Sequence, residues 1–192
     1  MPTVPCLACY YCKAGAEHLC TRSTLFGYAL DGGLADYVRI PAQAMERGGV
    51  FRAESNVSAV EAALAEPLGC VLNGAANYQP DAGDTVVVIG AGPIGLLHTQ
   101  VNRLYGASQV IVSDPAGERR ALAEKLGATH TVDPTAQDLG EFVRGLTDGR
   151  GADVAVICIG HNALVQQSFQ IVRKRVRVNA FAGFPKGALS NM

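Results

Sequence analysis

Residues Thr85–Gly95 read TVVVIGAGPIG, and this stretch decides the fold. Five β-branched residues, four of them apolar, predict a strand buried on both faces, as in the middle of a parallel sheet. The turn that follows carries Gly90, Gly92 and Gly95 in a GxGxxG pattern. Pro93 stands at the first position of an amphipathic segment running to Tyr105, where its missing N–H does no harm. In such a turn the first glycine permits the tight bend and the second lets backbone approach a ligand. The third lets helix and strand pack closely, and the helix N-terminus presents open N–H groups to an anion.

A glycine turn alone is a weak signal. Here it joins a predicted strand to a predicted helix, and Asp114 ends the next apolar run, Gln109–Ser113, at about 20 residues' distance. A carboxylate there accepts hydrogen bonds from ribose hydroxyls and repels a 2′-phosphate, so the reading favours NAD over NADP. Ser113 beside it is neutral, while Arg119 and Arg120 follow one helical turn on. The bland alternative is a structural turn in an α/β domain that binds nothing.

The rhythm continues toward the C-terminus. Helix 117–126 stops at Gly127, a natural C-cap. Strand 130–132, helix 139–146, strand 153–159, helix 163–172 and strand 176–181 follow. That pattern predicts a Rossmann-type, doubly wound parallel sheet with five strands. The first half reads differently: glycine-rich loops, a candidate strand over Leu34–Ile40, and a Ser58/Glu61 capping box opening a helix. That helix is expected to stop at Glu66–Pro67, with Pro67 starting another to about Tyr78. The predicted division falls between residues 1–65 and 66–192.

Bulk properties narrow the function. The 192 residues are 48% hydrophobic and 17% charged, with a formal net charge of −1. A real core is expected, and neither disorder nor a broad basic nucleic-acid face. The longest apolar run, Val86–Leu97, is broken by glycines and proline and is too short for a membrane span. The N-terminal stretch lacks the features of a signal peptide, which points to the cytosol.

Four of six cysteines crowd into the first twenty residues: Cys6, Cys9, Cys12 and Cys20, spaced C-x2-C-x2-C-x7-C. Four soft ligands in a compact loop suit a tetrahedral structural zinc. An iron–sulfur site competes, because C-x2-C-x2-C is also a ferredoxin run, but there the fourth cysteine follows after three residues and precedes proline. Disulfides are disfavoured by the expected compartment. Cys70 and Cys158 read as buried small hydrophobes. The four histidines, His18, His98, His130 and His161, receive no catalytic role.

The cysteine lobe, the approach DGGLADYVRIP (Asp31–Pro41), the EPLG step (Glu66–Gly69) and VVVIGAGPIGL together resemble the zinc-dependent medium-chain alcohol dehydrogenases. The branch of sorbitol, other polyol and threonine dehydrogenases looks most similar. The resemblance covers almost the whole chain. It implies a partial GroES-like β domain with a structural zinc lobe, followed by a Rossmann NAD domain with five of six strands. It also implies hydride transfer from a secondary alcohol or polyol to NAD, assisted by a catalytic zinc.

By the same resemblance Glu66 is a possible catalytic-zinc ligand, in a chain whose other ligands are missing. The residue-level alternative for Glu66 is an acid favouring the positive end of a helix. The resemblance also implies that Gly90, Gly92, Pro93, Ile94, Gly95, Asp114 and Arg119 hold the cofactor, with Gly160, Gly183 and Phe184 on its nicotinamide side. Arg119 reads almost equally well as a solvated helix residue. Leu7 and Val176 depart from the family pattern where turn glycines are usual. The expectation is a fragment of a longer dehydrogenase, inactive alone, whose full-length form is a homodimer or homotetramer. The alternatives are a non-catalytic NAD- and zinc-binding module and, less in keeping with the α/β half, a zinc-ribbon interaction protein.

Overall fold

The computed structural model describes residues 3–46 and 48–184, and the chain divides into two compact units, 1–66 and 67–192. The first is built from short pieces. Strands β1 (Thr3–Val4) and β2 (Thr24–Leu25) pair antiparallel, Thr3 with Leu25 and Val4 with Thr24. Between them lie helix α1 (Tyr10–Lys13) and a 3-10 turn, Glu17–Leu19. Helices α2 (Ala42–Glu46) and α3 (Ala59–Ala63) follow. The Ser58 capping box forms as expected: the Glu61 N–H donates to Ser58 Oγ at 3.2 Å, and the Ser58 N–H donates to the Glu61 carboxylate at 2.9 Å. The hydroxyl also donates to that carboxylate, which holds the Glu61 pKa below its usual value.

The strand expected over Leu34–Ile40 does not form. Those residues are irregular and exposed, with Leu34 and Tyr37 almost fully so. Alternation of apolar and polar side chains gives a strand only where another strand pairs with it, and none does here among the described residues.

The second unit holds a five-stranded sheet, every neighbouring pair parallel, in the order β5-β4-β3-β6-β7. Its members are β3 (Thr85–Ile89), β4 (Gln109–Ser113), β5 (His130–Val132), β6 (Ala152–Ile157) and β7 (Val172–Ala180). Helices α4 (Ala65–Tyr78), α5 (Pro93–Leu104), α6 (Gly117–Lys125), α7 (Leu139–Leu146) and α8 (Asn162–Ile171) accompany it. Helix α4 starts two residues before Pro67, so the proline sits inside the first turn, where its missing N–H still costs nothing.

The period-2 geometry of β3 explains the layering. Val86 and Val88 join a core with Val71 and Ala75 of α4, Val101 of α5 and Ala123 of α6. Val87 and Ile89 face the opposite way, against Leu139 and Val143 of α7 and Val165 of α8. Every residue of β3 is buried. At about 1.5–3 kcal/mol per buried Val or Ile side chain, this central strand contributes strongly to the unit's stability.

Strand β7 differs from expectation at its start. It begins at Val172, and its register against β6 jumps from Val172–Ala152 to Arg177–Val154. Arg175 in between has φ 58, so the left-handed position sits one residue before Val176. Cys158 is half-buried against the first core, whereas Cys70 is exposed on α4. The expectation of a buried Cys70 fails because α4 is apolar over more of its circumference than its packed face uses.

Candidate functional site

Each unit carries one site. In the first, pairing of β1 with β2 closes a loop that contains all four clustered cysteines. Leu7 takes φ 60, the left-handed conformation that explains why glycine is usual there, and turns Cys6 toward Cys9. Cys9 stands at the N-cap position of α1, and Cys12 lies one turn later, with the two sulfurs 3.5 Å apart. Cys6 and Cys12 sulfurs lie 4.0 Å apart. The 3-10 turn delivers Cys20, whose sulfur accepts from the Cys6 and Arg22 N–H groups at 3.3 and 3.4 Å.

All four sulfurs lie within 4.8 Å of one another. Tetrahedral zinc with Zn–S bonds of about 2.3 Å needs sulfurs roughly 3.8 Å apart, so the donor set fits one ion. The geometry is too tight for sulfurs bound to different irons of a cluster, and none of the four forms a disulfide. Backbone N–H groups, that of Ala8 first, bring the Cys6 thiol down to about 6, and a Cys12 backbone hydrogen bond lowers Cys9. Burial, then the neighbouring sulfurs, pushes Cys12 up to about 11. Without an ion the cluster holds part of its protons; a bound cation removes the reason for keeping them. Among the described residues no other group of metal-ligating side chains converges. Glu66 lies exposed in the first turn of α4 and belongs to no such group.

In the second unit the strand order reverses at β3, whose neighbours are β4 on one side and β6 on the other. The carboxyl ends of these strands form the crevice where open α/β sheets bind ligands. The Gly90–Gly95 turn leaves β3 there. Gly90 has φ 101, closed to most side chains, and its N–H donates to Ser113 O at 2.8 Å. A Cβ on Gly95 would stand 1.8 Å from Gly90 O, so only glycine lets α5 start this close to the strand. Gly92 is the N-cap and Pro93 the first helical residue; no side chain caps the helix, which leaves its positive end to a ligand. Ile94 is half-buried against the first core.

Asp114, at the end of β4, clasps this turn. Its Oδ2 accepts from Ala91 N–H and its Oδ1 from Ala116 N–H, both at 2.8 Å. Its side chain is only 2% exposed, with Arg119 Nη1 lying over it at 3.7 Å and itself 61% exposed. Each carboxylate oxygen retains acceptor capacity after one hydrogen bond. The loops after β6 and β7 meet at the same edge: a Cβ on Gly160 would stand 2.1 Å from Gly183 O. Ile159 covers Gly90, Gly183 is exposed, and Phe184 packs into the second core.

The residues named on this edge thus share it, with Phe184 turned inward. The sequence reading passed over the Arg120–Asp133 pair, 3.2 Å apart, which ties the β4 and β5 loops. A signal existed: Asp133 ends its strand as Asp114 ends its own. It also passed over a buried network of Tyr78, His98 and Asn102. The Tyr78 hydroxyl lies 3.2 Å from His98 Nδ1 and donates to Asn102 Oδ1 at 3.2 Å. Burial pushes the His98 pKa down to about 4, and its ring lies edge-on to Phe181 at 4.7 Å. No helix among the described residues is long and apolar enough to cross a membrane.

Known proteins match both units. The zinc-binding dehydrogenase family profile matches residues 93–191, and the alcohol dehydrogenase GroES-like domain profile matches residues 1–47. The chain is 38% identical over 182 residues to an L-threonine 3-dehydrogenase of Pyrococcus furiosus, covering 95% of this chain and 51% of that protein. To an erythritol/L-threitol dehydrogenase of Mycolicibacterium smegmatis it is 37% identical over 183 residues, 94% of this chain and 49% of the other. A protein of Sinorhizobium meliloti 1021, described as a zinc-binding dehydrogenase and solved bound to NADP, superposes with a TM-score of 0.89. That match has 37% identity over 97% of this chain and 54% of the other. The chain spans about half the length of the curated relatives it matches. With a profile match over more than half its residues, on the glycine turn's own unit, the chain belongs to the zinc-binding dehydrogenase family.

Proposed function

We propose that this chain supplies the NAD-binding unit and the structural zinc lobe of a dehydrogenase that oxidises a secondary alcohol or polyol. The observation that carries the reading is the Asp114 carboxylate held at 2.8 Å from Ala91 N–H, inside the glycine turn. It ties the acid expected to meet a ribose to the backbone expected to meet the pyrophosphate. NAD bound there supplies the hydride acceptor. Gly90, Gly92 and Gly95 keep the turn low, the α5 N-terminus faces the phosphates, and Asp114 accepts from the ribose hydroxyls. Arg119 flanks the adenosine, and Gly160, Gly183 and Phe184 bound the nicotinamide side. The acid favours NAD over NADP by repelling a 2′-phosphate.

The relatives' names point to the substrate class. L-threonine, erythritol and L-threitol each carry a secondary hydroxyl beside a second polar group. Cysteines 6, 9, 12 and 20 hold the structural zinc. Glu66 would add one carboxylate to a catalytic zinc, which needs about three protein ligands, so it serves there only with ligands from elsewhere. Residues 1–65 are the GroES-like part and 66–192 the coenzyme part. A cytosolic location suits four clustered reduced thiols. Family assembly as a homodimer or homotetramer belongs to the same proposal.

One experiment separates the dehydrogenase from a binding-only module. The purified chain is titrated with NADH by fluorescence, assayed for zinc, and incubated with NAD and L-threonine or tetritols. NADH binding with one zinc and no turnover supports a binding unit that needs further ligands for chemistry. Turnover establishes a complete enzyme, and absence of NADH binding removes the cofactor reading.

A further inference from the structure

Arg120 stands behind the loop that carries Asp114. Its Nη1 donates to two successive carbonyls, Asp114 O at 2.7 Å and Pro115 O at 2.8 Å. The same nitrogen lies 3.2 Å from Asp133 Oδ2, in a pair whose side chains are 21% and 28% exposed. Asp133 is itself aimed. Its Oδ1 accepts from Thr135 N–H at 2.9 Å and from Thr135 Oγ1 at 2.6 Å, which leaves Oδ2 facing the guanidinium. The ladder beneath continues past both strands, with Asp114 N–H donating to Val132 O at 3.2 Å.

The loop needs such a brace. Residues 114–116 leave the sheet and turn into α6, whose N-cap Ala116 has no side chain to cap it. Helix α6 begins with Gly117, the poorest helix former after proline. Within the segment the local stiffening comes from Pro115 and from the Ala116 N–H bond to Asp114 Oδ1. A planar guanidinium reaching two adjacent carbonyls and one carboxylate fixes the peptide planes on either side of Pro115 at once. Those planes set the direction of the Asp114 Cα–Cβ bond and the position of Ala116 N–H, which holds Asp114 Oδ1.

We propose that Arg120, anchored by Asp133, is a positioning residue that holds Asp114 in its ribose-accepting orientation and so sets the chain's affinity for the adenosine half of a dinucleotide. The inference rests on the NAD reading above. Arg120 makes no contact with the Asp114 carboxylate itself; it acts through the backbone carbonyls of Asp114 and Pro115. Such supporting contacts matter because a site held loosely binds weakly even with every residue present.

The test is a double-mutant cycle on NADH affinity, using the full 192-residue chain. R120L is expected to weaken NADH binding roughly tenfold, the factor associated with losing one charge-assisted hydrogen bond. D133N is expected to weaken it about threefold, and R120L/D133N to be no worse than R120L, because both remove one brace. In a D114N background R120L is expected to change the affinity less than twofold, since the group it positions is already impaired. R120K, which restores the charge on a shorter, non-planar side chain, is expected to recover part of the loss. Thermal melts accompany each titration.

The proposal is overturned if R120L binds NADH as tightly as the unmutated chain. It is equally overturned if R120L loses the same factor in the D114N background, because Arg120 then acts on the unit as a whole. If the unmutated chain fails to bind NADH, the cofactor reading falls first and takes this inference with it.

Discussion

The two units reach stability by opposite routes. The sheet unit buries a continuous apolar layer on each face of β3, and its elements are long enough to organise themselves. The first unit has two-residue strands, and among its described residues the buried hydrophobics are Val4, Cys12, Cys20 and Ala44. Tyr28, Leu34, Tyr37 and Phe51 stand largely exposed there. A segment with so little buried area cannot offset its conformational entropy by packing, so its order depends on the sulfur cluster. One chain can therefore carry both a packed domain and an ion-stapled one, and metal removal or core damage should strike them separately.

Metal removal is the largest expected effect. Structural zinc binding contributes on the order of 10 kcal/mol in small metal-stapled domains. Stripping the ion with a chelator, or making Cys20→Ala, is expected to unfold residues 3–25 while the sheet unit keeps its thermal transition. Limited proteolysis and far-UV circular dichroism read the two halves independently. Loss of the sheet transition on chelation breaks the comparison.

Gly95→Ala is the matching injury to the sheet unit. The new Cβ would lie 1.8 Å from Gly90 O, a backbone atom that cannot move without lifting the turn off β3. The expected cost is roughly 3 kcal/mol or more, together with loss of NADH binding. Zinc content should stay at one equivalent. Equal zinc loss in this variant would show that the lobe borrows its order from the sheet.

How far each unit was legible follows the same divide. Strand β3, α5 and α7 announce themselves because apolar periodicity and local caps determine them from within. Their ends moved by about a residue at most. The Leu34–Ile40 strand failed because pairing is decided by a partner distant in sequence, which alternation cannot supply. Strand β7 was placed four residues late because the register jump around Arg175 depends on β6. The four cysteines were legible, since thiols at short spacing have few uses. The bracing of Asp114 by Arg120 was not, because an arginine's partners lie wherever its long side chain reaches.

His98 gives a pH-dependent version of the contrast. It is fully buried in the sheet unit, and burial holds its pKa near 4 against 6.5 when exposed. In the pH interval between these values the unfolded chain takes up a proton and the folded chain does not. Stability is thus fully present above about 6.5, falls as pH drops toward 4, and levels off below it. The full interval corresponds to roughly 3 kcal/mol. Urea melts of the unmutated chain and of His98→Phe, compared from pH 7 to 5, should differ in slope. Parallel slopes would remove His98 as the cause.

The smallest effect asks whether the sheet unit melts as one body. Asp138 caps α7, its carboxylate accepting from Glu141 N–H at 2.7 Å, on an exposed corner remote in sequence from the glycine turn. Asp138→Ala removes one cap and nothing from the core, so the expected loss is about 1 kcal/mol. If the packed unit is cooperative, that loss appears as a small downward shift of its whole thermal transition, of a few degrees. Zinc content and NADH affinity should not move. A new early transition confined to part of the helical signal would instead show α7 fraying alone, and the unit's stability would then be distributed as locally as the lobe's.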